Sequence, residues 1–190
     1  MIREKLMNVK TVISLAAKMA EREDVSAYLE GTLVDAELER EVEKLLDCYQ
    51  TVEQDIAMRC QGIVEKQEVE TADGIVYYES LVRRVVSVLR VENEAGAGFP
   101  FLRFPDRIET KAGRGIVVYS AFPERKEAEE EAEVPSYLPP AVLSYGVASE
   151  YYLMNGLYEE AAIFDKRYKD GLIALCLHSP HKKWEGRKWV

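Results

Sequence analysis

Histidine, cysteine and tryptophan are scarce in this sequence, with two, three and two copies among 190 residues. The cysteines, Cys48, Cys60 and Cys176, are too few and too scattered for a disulfide framework, and their odd number leaves at least one unpaired. This usage predicts synthesis in a reducing cytosol. No long apolar run follows the charged N-terminal residues, so we expect neither a signal peptide nor a membrane span.

The motifs of common catalytic sites are missing as well. Gly96–Gly98 and Gly113–Gly115 neither open a helix after a strand nor carry the lysine of a P-loop, so they predict turns. Ser144 and Ser149 lack the G-x-S-x-G turn of a serine hydrolase. Both histidines lie beside the C-terminal tail, and carboxylates at this density are typical of a solvated surface. We therefore expect a non-catalytic protein. A carboxylate-dependent hydrolase is the less favoured of two alternatives.

One cluster could bind a metal. Cys176, His178 and His181 form a C-x-H-x2-H pattern whose residue types are all zinc ligands. A structural zinc site needs four ligands, and the sequence shows no partner cluster. We expect no metal and no cofactor, and we interpret both histidines as part of a solvated tail.

Length and composition favour a single α+β domain over residues 1–190. An apolar fraction of 47% and a charged fraction of 31% are typical of a globular chain, and a chain of this length buries about 70% of its unfolded surface. The net charge of -9 argues against broad nucleic-acid binding, because phosphate neutralisation needs clustered Lys and Arg. Five stretches follow in order: N-terminal helices (1–60), a β-rich segment (61–123), an acidic loop (124–136), a helical hairpin (137–177) and a basic tail (178–190).

Helical periodicity begins near the N-terminus. Apolar residues from Val9 to Ala20 recur at the spacing of one helical face, and Asp24 is expected to cap a short turn of helix after it. A longer helix is predicted from near Asp35, with its charged face, including Glu41, in solvent. Its apolar stripe consists of Leu38, Val42, Leu45, Leu46, Tyr49, Val52, Ile56 and Cys60.

After Gly62 the apolar period changes to two, and the apolar residues become β-branched and aromatic. The predicted strands are Ile63–Thr71, Ile75–Tyr78, Val85–Val91, Phe99–Phe104 and Ile116–Phe122. Asp73-Gly74 predicts a tight hairpin turn between the first two strands, because these residues tolerate positive φ. We expect one small antiparallel sheet inserted between helices from both ends of the chain, which together form a helical bundle.

The Glu-rich run from Glu124 to Glu133 is typical of a solvated, mobile loop. Helix formation resumes at Pro139 and Pro140, which the first helical turn tolerates. Two apolar stripes follow, Val142, Leu143, Val147, Tyr151 and Met154, then Tyr158, Ala161, Phe164, Tyr168, Leu172 and Leu175. Asn155-Gly156 separates them, which predicts an antiparallel helical hairpin. It is similar to one tetratricopeptide unit, but no second copy supports a solenoid.

The basic tail concentrates cations and both tryptophans on an otherwise acidic chain. Aromatic anchors beside cations are typical of binding hot spots. The residues predicted to grip another molecule are Lys182, Lys183, Trp184, Arg187, Lys188 and Trp189. We expect them to meet an apolar surface rimmed with Glu. A tail folded back on its own acidic body is the alternative.

The hairpin and the order of elements resemble the small neck proteins of tailed phages and prophages, the head-tail connector or head-completion group. The hairpin residues that carry the likeness run from Leu138 to Ala161 and read Y-x-x-A-x-E-Y-x-L-x-x-G-x-Y-E-E-A from Tyr145 onward. Phe164, Tyr168 and an Arg187-Lys188-Trp189 ending follow. The segment Val85–Tyr119 resembles the same group, with an R-x-V-x-S-V strand and a later V-x-Y strand.

This resemblance implies a non-catalytic adaptor that forms a ring of identical subunits and docks on a portal-like or tail protein. It also implies assembly in the bacterial cytoplasm and a place in the virion of a functional prophage. A cationic tail facing an acidic body supplies the heterologous contact that a ring needs, and an acidic channel wall lets DNA pass without specific binding. The alternative is a bacterial interaction module that holds a peptide in its hairpin groove.

Overall fold

The computed structural model describes residues 7–60 and 63–177, with the backbone alone for 176 and 177. The helices of this part are α1 (Val9–Met19), α2 (Glu23–Leu29), α3 (Ala36–Arg59), α4 (Pro140–Met154) and α5 (Tyr158–Leu177). The strands are β1 (Ile63–Thr71), β2 (Ile75–Tyr77), β3 (Val85–Glu92), β4 (Gly98–Phe99), β5 (Leu102–Arg103), β6 (Arg107–Glu109) and β7 (Gly113–Ala121). The α+β class, with helices at both ends, is confirmed.

The described residues fall into two compact units. Unit 1 takes the chain up to Val52, Lys126–Ala132 and the chain from Ser136 onward, whereas unit 2 takes Glu53–Arg125 and Glu133–Pro135. Unit 1 therefore contains most of the helical residues, and unit 2 contains all the described strands. The single domain over residues 1–190 stays a prediction.

The central helix of unit 1 is α4. Its buried residues are Val142, Leu143, Ser144, Gly146, Val147, Ala148, Ser149 and Tyr151. A helix that is apolar on nearly every side is stable only when other elements enclose it, and α4 packs against both α1 and α5. Ser144 lies in this core with its hydroxyl 2.9 Å from the Val12 carbonyl oxygen and 2.8 Å from that of Pro140, so its polar group is satisfied.

Close approach between helices in unit 1 depends on Gly146. A Cβ atom at this position would lie 2.9 Å and 3.0 Å from the two methyl carbons of Val52, and 3.1 Å from Cδ2 of Tyr168. The absence of a side chain therefore lets α3 and α5 reach the backbone of α4. The predicted hairpin is confirmed: the Ser149 hydroxyl donates to the Ala161 carbonyl at 3.0 Å, and Gly156 turns the chain at a φ of 76°.

The start of α1 is held by part of the acidic loop. The backbone N–H groups of Val9 and Lys10 donate to the carbonyls of Glu130 (3.0 Å) and Ala128 (2.8 Å), and the Lys10 ammonium pairs with Glu129 at 2.9 Å. The first amides of a helix have no partner inside the helix, so they need such acceptors. The expectation of a merely solvated loop is therefore wrong for residues 126–132, because its backbone carbonyls bond α1.

Unit 2 consists of two antiparallel sheets, with strand orders β1-β7-β3-β4 and β2-β6-β5. One inserted sheet was expected. β1 and β7 pair without interruption from Ile63 opposite Ala121 to Thr71 opposite Gly113. The core of the unit contains Val76, Leu81, Val88, Val91, Ile108, Val117, Tyr119 and Ala121.

The Asp73-Gly74 turn forms, but the strands on either side of it do not pair with each other. β1 pairs with β7 and β2 pairs with β6, so the predicted hairpin between β1 and β2 is wrong. The Gln67 side chain of β1 bridges to the segment after β2. Its Nε2 donates to the Ser80 carbonyl at 3.1 Å and its Oε1 accepts the Val82 N–H at 2.8 Å. The Gln67 side-chain amide therefore joins β1 to the segment after β2, although no backbone ladder pairs β1 with β2.

The remaining differences between predicted and observed strands have local causes. The predicted strand Phe99–Phe104 is interrupted at Pro100, which has no N–H for a ladder, and only β4 and β5 remain. β6 is not predicted from the sequence, because Arg107–Glu109 contains one apolar residue and so shows no alternation of apolar and polar residues. β7 begins at Gly113 rather than Ile116, so the glycines predicted to form a turn lie in the strand.

We expect Gly74→Ala to destabilise the protein more than Gly96→Ala. Both glycines have positive φ, 79° and 78°, and either substitution costs about 1–2 kcal/mol for that backbone conformation. A Cβ at Gly74 would also lie 2.2 Å from the Thr110 carbonyl oxygen, whereas one at Gly96 has nothing within 4 Å. Urea denaturation should show a total loss of roughly 3 kcal/mol or more for Gly74→Ala. Equal losses for the two variants would contradict this account.

Candidate interaction site at the helical hairpin

The residues that the sequence predicted as an interaction site lie outside the described residues. They are Lys182, Lys183, Trp184, Arg187, Lys188 and Trp189. His178, His181 and the side chain of Cys176, the zinc pattern of the sequence, also lie outside them.

The turn between α4 and α5 exposes four large apolar side chains in one short stretch. Leu153 is 43% exposed, Met154 59%, Leu157 45% and Tyr158 70%. We call these four residues the hairpin tip. A single exposed apolar side chain is ordinary on a protein surface, whereas a contiguous set is typical of an interaction site.

Two residues of the hairpin tip belong to the apolar stripes that the sequence shows. Met154 and Tyr158 continue the stripes of α4 and α5, but the structure exposes both. Periodicity shows which face of a helix is apolar, but it does not show where the elements covering that face end. The sequence does contain one indication of this exposure. Both residues lie next to the Asn155-Gly156 turn, where α4 ends and α5 begins.

Aromatic packing supports the hairpin tip from below. The ring of Tyr152 stacks on that of Phe164, with centroids 5.5 Å apart and planes at 18°. The Tyr152 hydroxyl donates to the Met19 carbonyl at 3.2 Å, which ties the end of α4 to the end of α1. The Leu157 N–H donates to the Tyr152 carbonyl at 2.9 Å. The tip residues are therefore carried on a turn that is bonded and packed.

Carboxylates lie beside the hairpin tip and near Tyr152. Glu159 and Glu160 follow Tyr158 in the first turn of α5, and both are exposed. Burial is the main cause that raises the pKa of Tyr152, and the negative charges of Glu21 and Glu160 raise it further. Both carboxylates therefore lie near this hydroxyl. We call Glu21, Glu159 and Glu160 the acidic rim.

Cys48 lies under the other side of the tip. Its Sγ is 3.4 Å from Sδ of Met154. Burial raises the pKa of the Cys48 thiol to about 12, with further contributions from Glu150 and Asp47. A thiol with so high a pKa is a poor nucleophile at neutral pH. Cys48 therefore serves packing against Met154.

The described cysteines differ in state. Cys48 is free and buried, as the odd cysteine count required of at least one residue. Cys60 is disulfide-bonded, which the expectation of a reducing cytosol did not predict. The number and spacing of cysteines do not show which of them approach each other in space.

A second polar cluster in unit 1 joins α2, α3 and α4. Glu41 Oε2 accepts hydrogen bonds from Arg22 Nη1 at 3.1 Å and from the Tyr151 hydroxyl at 2.8 Å, while Oε1 accepts from Lys44 at 2.6 Å. Arg22 also pairs with Asp24 at 2.9 Å. Asp24 was expected to cap α2, but it lies inside the first turn, and Arg22 is at the N-cap position. The expectation of a fully solvated α3 face is wrong at Glu41. Every strong donor of this cluster is engaged inside the unit, so the cluster is a structural clamp.

The hydrogen bond from Lys44, together with those from Tyr151 and Arg22, holds the pKa of Glu41 below its usual range. A carboxyl with a lowered folded-state pKa stabilises the fold above its unfolded pKa of about 4.3 and loses that contribution as the pH falls through the folded value. Glu41→Gln should therefore lower the free energy of unfolding by about 1–3 kcal/mol at pH 7. The difference from the wild type should shrink by about pH 3.

The matched control is Glu39→Gln, an exposed carboxyl on the same helix. Urea denaturation at both pH values should give nearly the same stability for this control and the wild type. A loss in Glu41→Gln that is equal at both pH values would contradict the role of the ionised carboxyl.

The serines considered as nucleophiles are both engaged in helix packing. Ser144 and Ser149 are buried, and their hydroxyls bond backbone carbonyls of unit 1. A nucleophilic serine needs a neighbouring base within hydrogen-bond reach, whereas these two hydroxyls donate to backbone carbonyls. This arrangement favours structural roles for both.

Unit 2 contains a depression of about 400 Å³. Its lining residues are Tyr78, Glu79, Leu81, Arg83, Arg84 and Val85. Arg83 makes two hydrogen bonds of 3.1 Å to the Glu133 carboxylate and lies 3.6 Å from Glu65 and 3.7 Å from Glu124. These carboxylates raise the pKa of Arg83 further above its ordinary value. The charge of Arg83 is thus neutralised inside the unit, which favours a clamp on the Glu133 segment over an anion site.

Within residues 7–60 and 63–177, no group of three or more His, Cys, Asp or Glu side chains is arranged to hold a metal ion. Among the helices of this part, none has the length and apolar character needed to cross a membrane.

No protein-family model matches the chain, and no curated protein is similar to it at a significant level.

Proposed function

We propose that the chain is a non-catalytic assembly adaptor of the tailed-phage neck class, which oligomerises and docks on a portal-like partner. The proposal includes assembly in the bacterial cytoplasm and no specific nucleic-acid binding. The observation that carries it is the hairpin tip, where Leu153, Met154, Leu157 and Tyr158 are exposed together.

The hairpin motif behind the resemblance supports this proposal. Three of its positions serve packing, since Ala148, Tyr151 and Ala161 are buried, and Gly156 forms the turn. Leu153 and Tyr158 belong to the same motif, yet packing within residues 7–60 and 63–177 leaves both exposed. Contact with another molecule accounts for apolar residues at such positions.

The size of the hairpin tip indicates what kind of assembly it suits. About half of each side chain is still exposed, so its burial would contribute about 1 kcal/mol per residue, or roughly 4 kcal/mol for the four. Association of two proteins costs about 4–15 kcal/mol in lost freedom of motion. The apolar area of the tip alone therefore supports a pair only if the partner adds further contacts, and a pair held by a single contact is weaker than a closed assembly. A closed ring fits better, because each subunit makes two contacts and no end is left open.

The test compares full-length variants by native mass spectrometry and light scattering. We expect the wild type to form an oligomer larger than a dimer, and Leu157→Glu to shift it to monomers at least tenfold more readily, because a charge would enter the contact. Ile173→Glu is the matched control, since Ile173 is 57% exposed and lies about 22 Å along α5 from Tyr158.

Circular dichroism should show the same helix content in all three proteins. A wild type that stays monomeric at every concentration, or equal dissociation of both variants, would contradict the proposal. A monomer that binds free peptides through the hairpin would favour the interaction-module alternative.

A further inference from the structure

We infer that the hairpin tip of one copy is the receptor for the basic tail, residues 178–190, of a second copy. The inference rests on the proposed function and names the partner of the same site. The occupant is one defined segment of this chain, and the contact joins two different surfaces of identical subunits.

The chemistry of the two surfaces is complementary. The tail contains Trp184 and Trp189 among Lys182, Lys183, Arg187 and Lys188, with Glu185 as its one carboxylate side chain. The hairpin tip offers apolar side chains that tryptophan can cover, and the acidic rim offers carboxylates that the cations can pair. These are the two properties that the sequence required of the tail's partner surface.

The acidic rim differs from the paired carboxylates of unit 1. Glu30 pairs with Lys18, Glu41 with Arg22 and Lys44, and Asp165 with Lys169. In the described part of the chain, Glu21, Glu159 and Glu160 make no ion pair and no side-chain hydrogen bond. Three carboxylates around one apolar patch repel each other, and a cationic partner would relieve that repulsion.

Distance favours a second copy over the same chain. The tail follows Leu177 at the far end of α5, and the 19 residue-to-residue steps from Tyr158 to Leu177 rise about 28 Å. The backbone of Trp184, seven residues past Leu177, extends by about 24 Å at most. Trp184 therefore falls short of its own hairpin tip, and although Trp189 could reach it at up to about 41 Å, only the tip of a second copy can take both tryptophans at once. A contact between tail and tip is heterologous, so repetition of it can close a ring.

A mixing experiment with two full-length variants tests the inference. The first is Leu157→Glu, with a broken tip and an intact tail. The second is Trp184→Ala/Trp189→Ala, with an intact tip and a broken tail. Each alone should be monomeric. An equimolar mixture should give a 1:1 heterodimer and nothing larger by native mass spectrometry, because one intact tail meets one intact tip.

Fluorescence gives a second measurement. Both tryptophans of the chain lie in the tail, so the Trp184→Ala/Trp189→Ala variant contains none. A synthetic peptide of residues 178–190 added to this variant should show a blue shift of its indole emission on binding. Glu159→Gln/Glu160→Gln, introduced into the same background, should weaken peptide binding about tenfold, and Ile173→Glu should leave it unchanged.

The outcomes separate this inference from the proposed function. If the tryptophan-free variant still forms the wild-type oligomer, or if the two variants do not bind each other, the inference is overturned while the adaptor proposal stands. If the wild type itself is monomeric at every concentration, both the proposed function and the inference are contradicted. A peptide that binds Leu157→Glu in the tryptophan-free background as tightly as the intact tip would also overturn the inference.

Discussion

Enclosure of α4 is the constraint on which unit 1 depends. This helix is apolar on nearly every side, so α1 and α5 must cover it, and Gly146 lets Val52 and Tyr168 come close to its backbone. The same requirement determines what α5 leaves exposed. α5 buries one face against α4, and beyond the last covered turn the apolar residues of both helices face solvent. The hairpin tip is exposed because it lies past the end of the helices that cover α4.

Carboxylates in this protein fall into two groups by whether the fold uses their charge. Glu41 and Glu133 each bind an arginine that bridges separate segments of a unit, and their loss would leave a partly buried cation with fewer carboxylate partners. The carboxylates of the acidic rim have no such role, although they are part of the same acidic composition. Net charge alone does not separate these groups, because the distinction depends on neighbours that are distant in sequence.

The acidic loop shows why composition predicts less than backbone bonding. Its glutamates are typical of a solvated segment, and their side chains are largely exposed. Its backbone carbonyls nevertheless accept the first amides of α1, where a helix always lacks partners. A residue run can therefore be solvated through its side chains and structural through its main chain.

The sequence by itself determined the helices, the hairpin turn and the longest strands, because side-chain periodicity and turn chemistry act between near neighbours. It also pointed to the basic tail, which lies outside the described residues. Only the tertiary structure decided that β1 and β2 belong to different sheets, that Glu41 is clamped and that Met154 and Tyr158 are exposed. Each of these depends on which distant segment packs against a residue, and local patterns contain no record of that choice.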